Sequence, residues 1–249
     1  MTTSERRSLR LAAVGDLHFG RTPAVQLQPL FGALAQEADV LALCGDLTDT
    51  GHPDEARNLA RELAANVKIP TVAVLGNHDY EAGRTAELSQ ILCDAGITVL
   101  DGTACEVMGI GFAGVKGFAG GFGRRALGPW GEQAIKLFVR EALDEALKLE
   151  TALARLGGAK RRVALLHYAP VQATVEGEPL EIYPYLGSSR LEEPLNRYPV
   201  DAVFHGHAHH GTLEGTTSSG VPVFNVSMAL LQRCRPGQPP YRILELPRG

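Results

Sequence analysis

The sequence predicts an α/β protein in which strands and helices form packed layers. Short, branched apolar runs recur along the chain, each closed by a glycine or a polar turn. Stretches with apolar residues at helical spacing lie between the first three of these runs and after the third. The chain is also long enough for a sizeable core, with 45% hydrophobic residues among 249. Brief, branched runs bounded by breakers read as buried strands, and a repeat of three to four residues reads as an amphipathic helix. Their alternation implies strands layered against helices.

Taken in order, residues 9–14, 40–44, 71–75, 163–166 and 202–204 are the buried-strand candidates. Residues 24–36, 53–66 and 84–95 are the helices that alternate with the first three, and Pro53 suits a first helical turn. From 97 to 115 and again from 211 to 246, short strands follow one another across Gly, Pro and Ser turns. Part of the sheet structure is therefore expected to be antiparallel or mixed, in two sheets. The longest helix candidate, 130–156, stops at Gly157 and Gly158. It is expected to bury a stripe of Ile135, Phe138, Val139, Leu143, Leu147 and Leu153. Residues 168–200 carry five prolines and no clear period, which reads as a loop excursion over a site mouth within one domain spanning 1–249.

Composition narrows the function. With 24 basic and 28 acidic residues the formal charge is −4, so no global field exists for gripping a polyanion, and nucleic acid is not expected as a partner. The longest run of apolar residues and glycine, 107–115, is far short of the roughly 18 to 20 residues that cross a bilayer. The N-terminus begins with basic residues, but its apolar segment stops at Asp16 with no cleavage site after it, so a cytoplasmic protein is expected. Cys44, Cys93, Cys105 and Cys234 form no CxxC pair and are expected to be buried thiols.

Every strand candidate named above ends in side chains able to bind a metal. The first ends in Asp16 and His18, which project to one side of an extended segment as an oxygen and a nitrogen donor. The second ends Gly45-Asp46-Leu47-Thr48-Asp49; a turn at the glycine lets the Asp46 carboxylate emerge, while Thr48 or Asp49 also suits a helix cap. The third ends Gly76-Asn77-His78-Asp79, with an amide oxygen, an imidazole and a carboxylate placed to accept the other imidazole N–H. The fourth runs into His167, which taken alone reads as a core histidine. The fifth runs into Gly206-His207-Ala208-His209, where the glycine turn favours His207 and His209 over the flanking His205 and His210. His52 joins no cluster and is expected at the surface. Donors at the carboxyl ends of several strands belong on one edge of an open α/β sheet.

With DxH, GDxxD, GNHD, a lone His and GHxH complete and in order from Asp16 to His209, the chain resembles the calcineurin-like metallophosphoesterases. The resemblance implies a four-layer αββα sandwich of two mixed β-sheets flanked by helices. It implies two divalent ions, one held by Asp16, His18 and His209 and the other by Asn77, His167 and His207, with Asp46 bridging both. It further implies that a hydroxide shared by the ions attacks a phosphoester, that His78 stabilises the transition state or protonates the leaving oxygen, and that Asp49 orients His78. Manganese is the favoured ion, with iron, zinc or cobalt also suited to the mixed donor set.

The substrate is less constrained. Thr50-Gly51 stands where the superfamily's protein phosphatases carry Arg-Gly, and Asp79 where they carry Glu. The GNHD form and His167-Tyr168-Ala169-Pro170 are more similar to small bacterial phosphodiesterases, some acting on cyclic nucleotides, so a small phosphodiester is expected. A nuclease or phosphomonoesterase of the same superfamily, or a non-catalytic scaffold with the same fold, are the alternatives. Lys116 to Arg125 is a basic, glycine-rich, aromatic loop without the spacing of a phosphate-binding Walker motif, and Asn225 and Ser227 are weighed as pocket residues.

Overall fold

The computed structural model describes residues 8–248. The elements follow the alternation expected. They are β1 (Ser8–Val14), α1 (Ala24–Glu37), β2 (Val40–Cys44), α2 (Pro53–Asn66), β3 (Thr71–Val74), α3 (Asn77–Tyr80), α4 (Thr85–Asp94) and β4 (Ile97–Val99). Then come β5 (Thr103–Val107), β6 (Ile110–Gly114), α5 (Gln133–Ala154), β7 (Arg161–Leu165), α6 (Tyr183–Leu186) and α7 (Glu192–Arg197). The chain closes with β8 (Ala202–His205), β9 (Glu214–Thr216), β10 (Pro222–Asn225), α8 (Met228–Cys234) and β11 (Arg242–Pro247).

Two mixed sheets result, ordered β11-β1-β2-β3-β4 and β5-β6-β7-β8-β10-β9. β1 to β4 run parallel, as do β6, β7, β8 and β10, while β11, β5 and β9 pair antiparallel at the edges. Side-chain alternation divides each central strand between two interfaces. In β1, Ala12 and Val14 meet Leu27, Phe31 and Leu34 of α1, whereas Leu9, Leu11 and Ala13 face the second sheet and join Phe112, Val163, Leu165 and Phe204. The far face of that second sheet, through Ala113, Ala164 and Val203, packs on Leu149, Ala152 and Leu153 of α5. Three apolar seams thus separate four layers, helix, sheet, sheet and helix, as the resemblance implied.

Three expectations are corrected. In α5 the stripe is displaced: Leu143 and Leu147 are 43% and 58% exposed, while Val139, Ala142, Glu145 and Leu149 are buried. Glu145 takes a core position because its carboxylate accepts from the Gly117 N–H at 2.7 Å and the Lys148 ammonium at 2.7 Å, contacts that no periodicity encodes. Residues 211–246 hold the short strands β9, β10 and β11 but also an unexpected helix, α8, which is seven residues long and rests on buried Met228, Leu230 and Leu231. Of the cysteines only Cys44 is buried, Cys105 is half-buried, and Cys93 and Cys234 are exposed near the carboxyl ends of α4 and α8. No helix among the described residues is long and apolar enough to cross a membrane.

Candidate metal centre

The carboxyl ends of the parallel strands of both sheets meet at one edge, where main-chain bonds stitch the loops together. Gly15 N–H donates to Val226 O at 2.9 Å, Asp16 N–H to Gly45 O at 2.9 Å, and Gly206 N–H to His167 O at 3.2 Å. Strain collects at this junction. Five non-glycine residues among those described have left-handed backbones, and four of them are Asp16 (φ 57°), His18 (φ 44°), Asp46 (φ 49°) and His207 (φ 69°). Conformations of this kind cost about 1 to 3 kcal/mol each and persist where the surroundings impose them, as at functional sites. The motif glycines supply room: a Cβ on Gly76 would collide with the Asp46 carboxylate, and one on Gly206 with that of Asp16.

The donors gather in three overlapping groups whose ligand atoms all lie within 4.8 Å of one another: Asp16, His18 and His209; His18, Asp46 and His78; and Asp46, His167 and His207. Asn77 joins the last through its Oδ1, 2.8 Å from His167 Nε2. Thus all seven side chains expected as ligands converge, with Asp46 between the outer groups. His78 also stands within reach, its ring edge-on to that of His18 at 4.6 Å between centroids.

Partners on the far side of the rings fix which nitrogen faces the centre. His167 Nδ1 lies 3.0 Å from Cys44 O and donates to it, so Nε2 faces Asn77 and Asp46. His207 Nε2 donates to the Tyr185 carbonyl at 3.1 Å, leaving Nδ1 as the lone-pair atom. His18 is the telling case: both ring nitrogens are buried without a hydrogen bond, though Nδ1 is 3.2 Å from Asp49 Oδ1. Buried polar atoms are rarely left in this state. An imidazole short of partners, beside hard carboxylate oxygens and an amide oxygen, is a donor set that fits a first-row divalent cation.

The buried side chains of the cluster also set one another's charge. Burial opposes ionisation of Asp46, but the His167 charge beside it wins and holds the carboxyl well below its usual range. Burial likewise opposes the charge on His167, and Asp46 with Asp16 outweigh it, raising the imidazole to about 9. His207 is pushed down to about 4 by burial and by His167, and so presents a neutral ring.

Two orienting roles differ from expectation. Asp79 does not accept from His78; its buried carboxylate takes Gly76 N–H at 2.8 Å, Leu47 N–H at 3.1 Å, and Thr48 N–H and Oγ1–H at 2.8 and 2.6 Å. It clamps the loop after β2 to the loop after β3, its two oxygens taken up by four converging donors. Asp49 meets His78 through its main chain, the carbonyl oxygen lying 2.6 Å from Nδ1, whereas its carboxylate is 3.9 Å from that atom and pairs with Arg21 at 3.1 Å.

Further supports are visible only in three dimensions. Asn225 Nδ2 donates to Ala208 O at 2.8 Å, and its Oδ1 accepts from Ser227 N–H at 3.1 Å, which braces the GHAH turn. His205 points away, its Nε2 2.8 Å from Thr174 Oγ1. The excursion over 168–200 reaches the centre through the Tyr185 carbonyl, a group no side-chain pattern announces. The 116–125 loop is sewn to it by Gly120 N–H to Pro184 O at 2.7 Å and Gly121 N–H to Gly187 O at 2.9 Å.

A two-sheet sandwich with clustered imidazoles and carboxylates at the strand ends describes a metal-binding phosphoesterase. Residues 9–211 match the family model of the calcineurin-like phosphoesterases, and the chain belongs to that family. It is 28% identical over 222 residues to a probable cyclic nucleotide phosphodiesterase of Rhodococcus erythropolis; the match covers 86% of this chain and 65% of that protein's length. Among solved structures, the phosphopantetheinyl hydrolase of Mycobacterium tuberculosis superposes with a TM-score of 0.68 at 16% identity, covering 96% of each chain. The TT1561 protein of Thermus thermophilus superposes at 0.59 with 16% identity, over 97% of this chain and all (100%) of that one. At such identities these structures share the fold.

Proposed function

We propose that this protein hydrolyses a small phosphodiester, with a cyclic nucleotide as the first candidate, using two divalent cations. Asp16, His18 and His209 would hold one cation, Asn77, His167 and His207 the other, and Asp46 both. The observation that carries this reading is one buried carboxylate, Asp46, with Oδ2 3.8 Å from His18 Nε2 and Oδ1 3.3 Å from His167 Nε2, and so facing a histidine of each expected set. The name of the Rhodococcus relative supports the diester, and a phosphopantetheinyl hydrolase on the same fold is compatible with it.

When bound, a cation pair in such a site activates a water and offsets charge on phosphoryl oxygens, which favours in-line displacement. The chain does the rest. His207, held neutral by burial, offers a ring-nitrogen lone pair, and Asp16 and Asp46 supply the two negative charges that would retain the cations. His78, with Nδ1 committed to the Asp49 carbonyl, presents Nε2 to protonate the leaving oxygen, a role worth about 10² to 10⁴ in rate. The deciding experiment strips the protein with a chelator, reloads it with manganese, iron, zinc or cobalt in turn, and assays cyclic nucleotides, linear diesters, single-stranded DNA and phosphomonoesters. Turnover of small diesters that returns with added metal supports the proposal. Turnover confined to monoesters or DNA, or no uptake of any ion, overturns it.

A further inference from the structure

Tyr168 directly follows His167, and no step above uses it. Its ring is buried, 7% exposed, with its centroid 4.5 Å from that of His207 and 5.5 Å from that of His167. Among the described residues its hydroxyl has no hydrogen-bond partner, yet the oxygen is not sealed from solvent. A buried ring packed against two imidazoles of the centre, carrying a hydroxyl that no protein group engages, can offer that hydroxyl to a ligand.

Lys116, the first residue of the basic glycine-rich loop, holds that ring. Its ammonium lies 5.3 Å from the centroid of Tyr168, 5.2 Å from that of Tyr80 and 4.8 Å from that of Phe118. It donates to the Gly117 carbonyl at 2.8 Å, and no carboxylate among the described residues forms an ion pair with it. Glu145 is engaged elsewhere, by Gly117 N–H and Lys148. The carbonyl of Lys116 accepts from both His167 N–H at 3.0 Å and Tyr168 N–H at 3.1 Å. Main chain and side chain of one residue thus fix Tyr168 from two directions, the cation being attracted to the aromatic faces around it.

We propose that the Tyr168 hydroxyl contacts substrate, donating a hydrogen bond to a non-bridging phosphoryl oxygen, and that Lys116 is the positioning residue that holds it there. The proposal deepens the phosphoesterase reading and rests on it. A phenol ordinarily ionises only at about pH 10, so at neutral pH its O–H is a donor. A neutral donor fixed beside the centre strengthens as charge builds on the phosphoryl oxygens, and it needs no reorganisation at that moment.

Tyr168→Phe keeps the ring and its packing and deletes only the hydroxyl. At wild-type metal content and wild-type Tm, kcat/KM for a p-nitrophenyl phosphodiester should fall at least about tenfold. Affinity for inorganic phosphate, titrated calorimetrically into the manganese-loaded protein, should fall about tenfold. Lys116→Met should lower kcat/KM in the wild-type background and add little in the Tyr168→Phe background, because both act through one hydroxyl. Unchanged kcat/KM together with unchanged phosphate affinity in Tyr168→Phe overturns the proposal, and additive losses overturn the role of Lys116. A wild-type protein that hydrolyses no phosphoester overturns the proposed function instead, and the phosphate titration still decides whether the hydroxyl meets the anion.

Discussion

Asp46 carries the greatest chemical demand of any residue in the centre. It is 1% exposed, held in a left-handed backbone, and its Oδ1 accepts the His78 N–H at 2.9 Å, so its orientation is set before any cation arrives. Asp46→Asn removes the charge while keeping the shape. Because one carboxylate oxygen lies 3.8 Å from His18 Nε2 and the other 3.3 Å from His167 Nε2, affinity for both cations should fall about 10- to 100-fold, read as metal content after dialysis against a fixed free-ion concentration. Loss at one site alone would remove Asp46 from the shared position. His78 separates from the seven expected donors on different grounds, since its ring has one nitrogen fixed on the Asp49 carbonyl and the residue stays partly exposed. His78→Ala should therefore leave a p-nitrophenyl diester less affected than an alkyl diester, whose leaving oxygen needs the proton; equal losses on the two substrates would argue against the acid role.

Among the elements, the loops at the strand ends and helix α5 carry separable predictions. The Asp79 clamp joins two of these loops through a carboxylate that is fully buried and pushed up to about 6, chiefly by burial and then by Asp46. Asp79→Ala leaves three backbone donors and one hydroxyl without their acceptor, and it should cost about 3 to 5 kcal/mol in urea unfolding while loosening the centre. In α5 the displaced stripe gives a contrast one turn wide. Leu149→Ala should cost about 2 to 5 kcal/mol by opening a cavity against the second sheet, whereas Leu147→Ala, on the solvent face, should stay within about 0.5 kcal/mol. The stripe read from sequence would reverse that order. Leucines recur so densely along 133–154 that more than one face satisfies a helical repeat, and the buried face is selected by Glu145, which contacts Gly117 from 28 positions away.

For the molecule as a whole, the centre ties the two sheets together: Asp16 and Asp46 come from the first, His167, His207 and His209 from the second. A cation bound between them stabilises the folded chain over the unfolded one by about 2.7 kcal/mol at a hundredfold excess over Kd. Chelation should therefore lower the Tm by roughly 5 to 10 °C, measured by calorimetry and reversed by adding the ion. An unchanged Tm would mean that no cation bridges the sheets. Much of this was legible in the chain. Brief, branched runs bounded by breakers named the central strands β1, β2, β3, β7 and β8 to within two residues, and the donors that the structure brings together, Asp16, His18, Asp46, Asn77, His167, His207 and His209, were all singled out from the motifs. Those features are local, set by the neighbours of each residue along the chain. What only the tertiary structure decided is which nitrogen of each imidazole faces inward, that Asp79 clamps loops and does not orient a ring, that a carbonyl of Tyr185 supports His207, and that Lys116 sits under Tyr168. Each of these depends on a partner far away in sequence and on main-chain atoms that every residue possesses, so side-chain identity along the chain carries no trace of them.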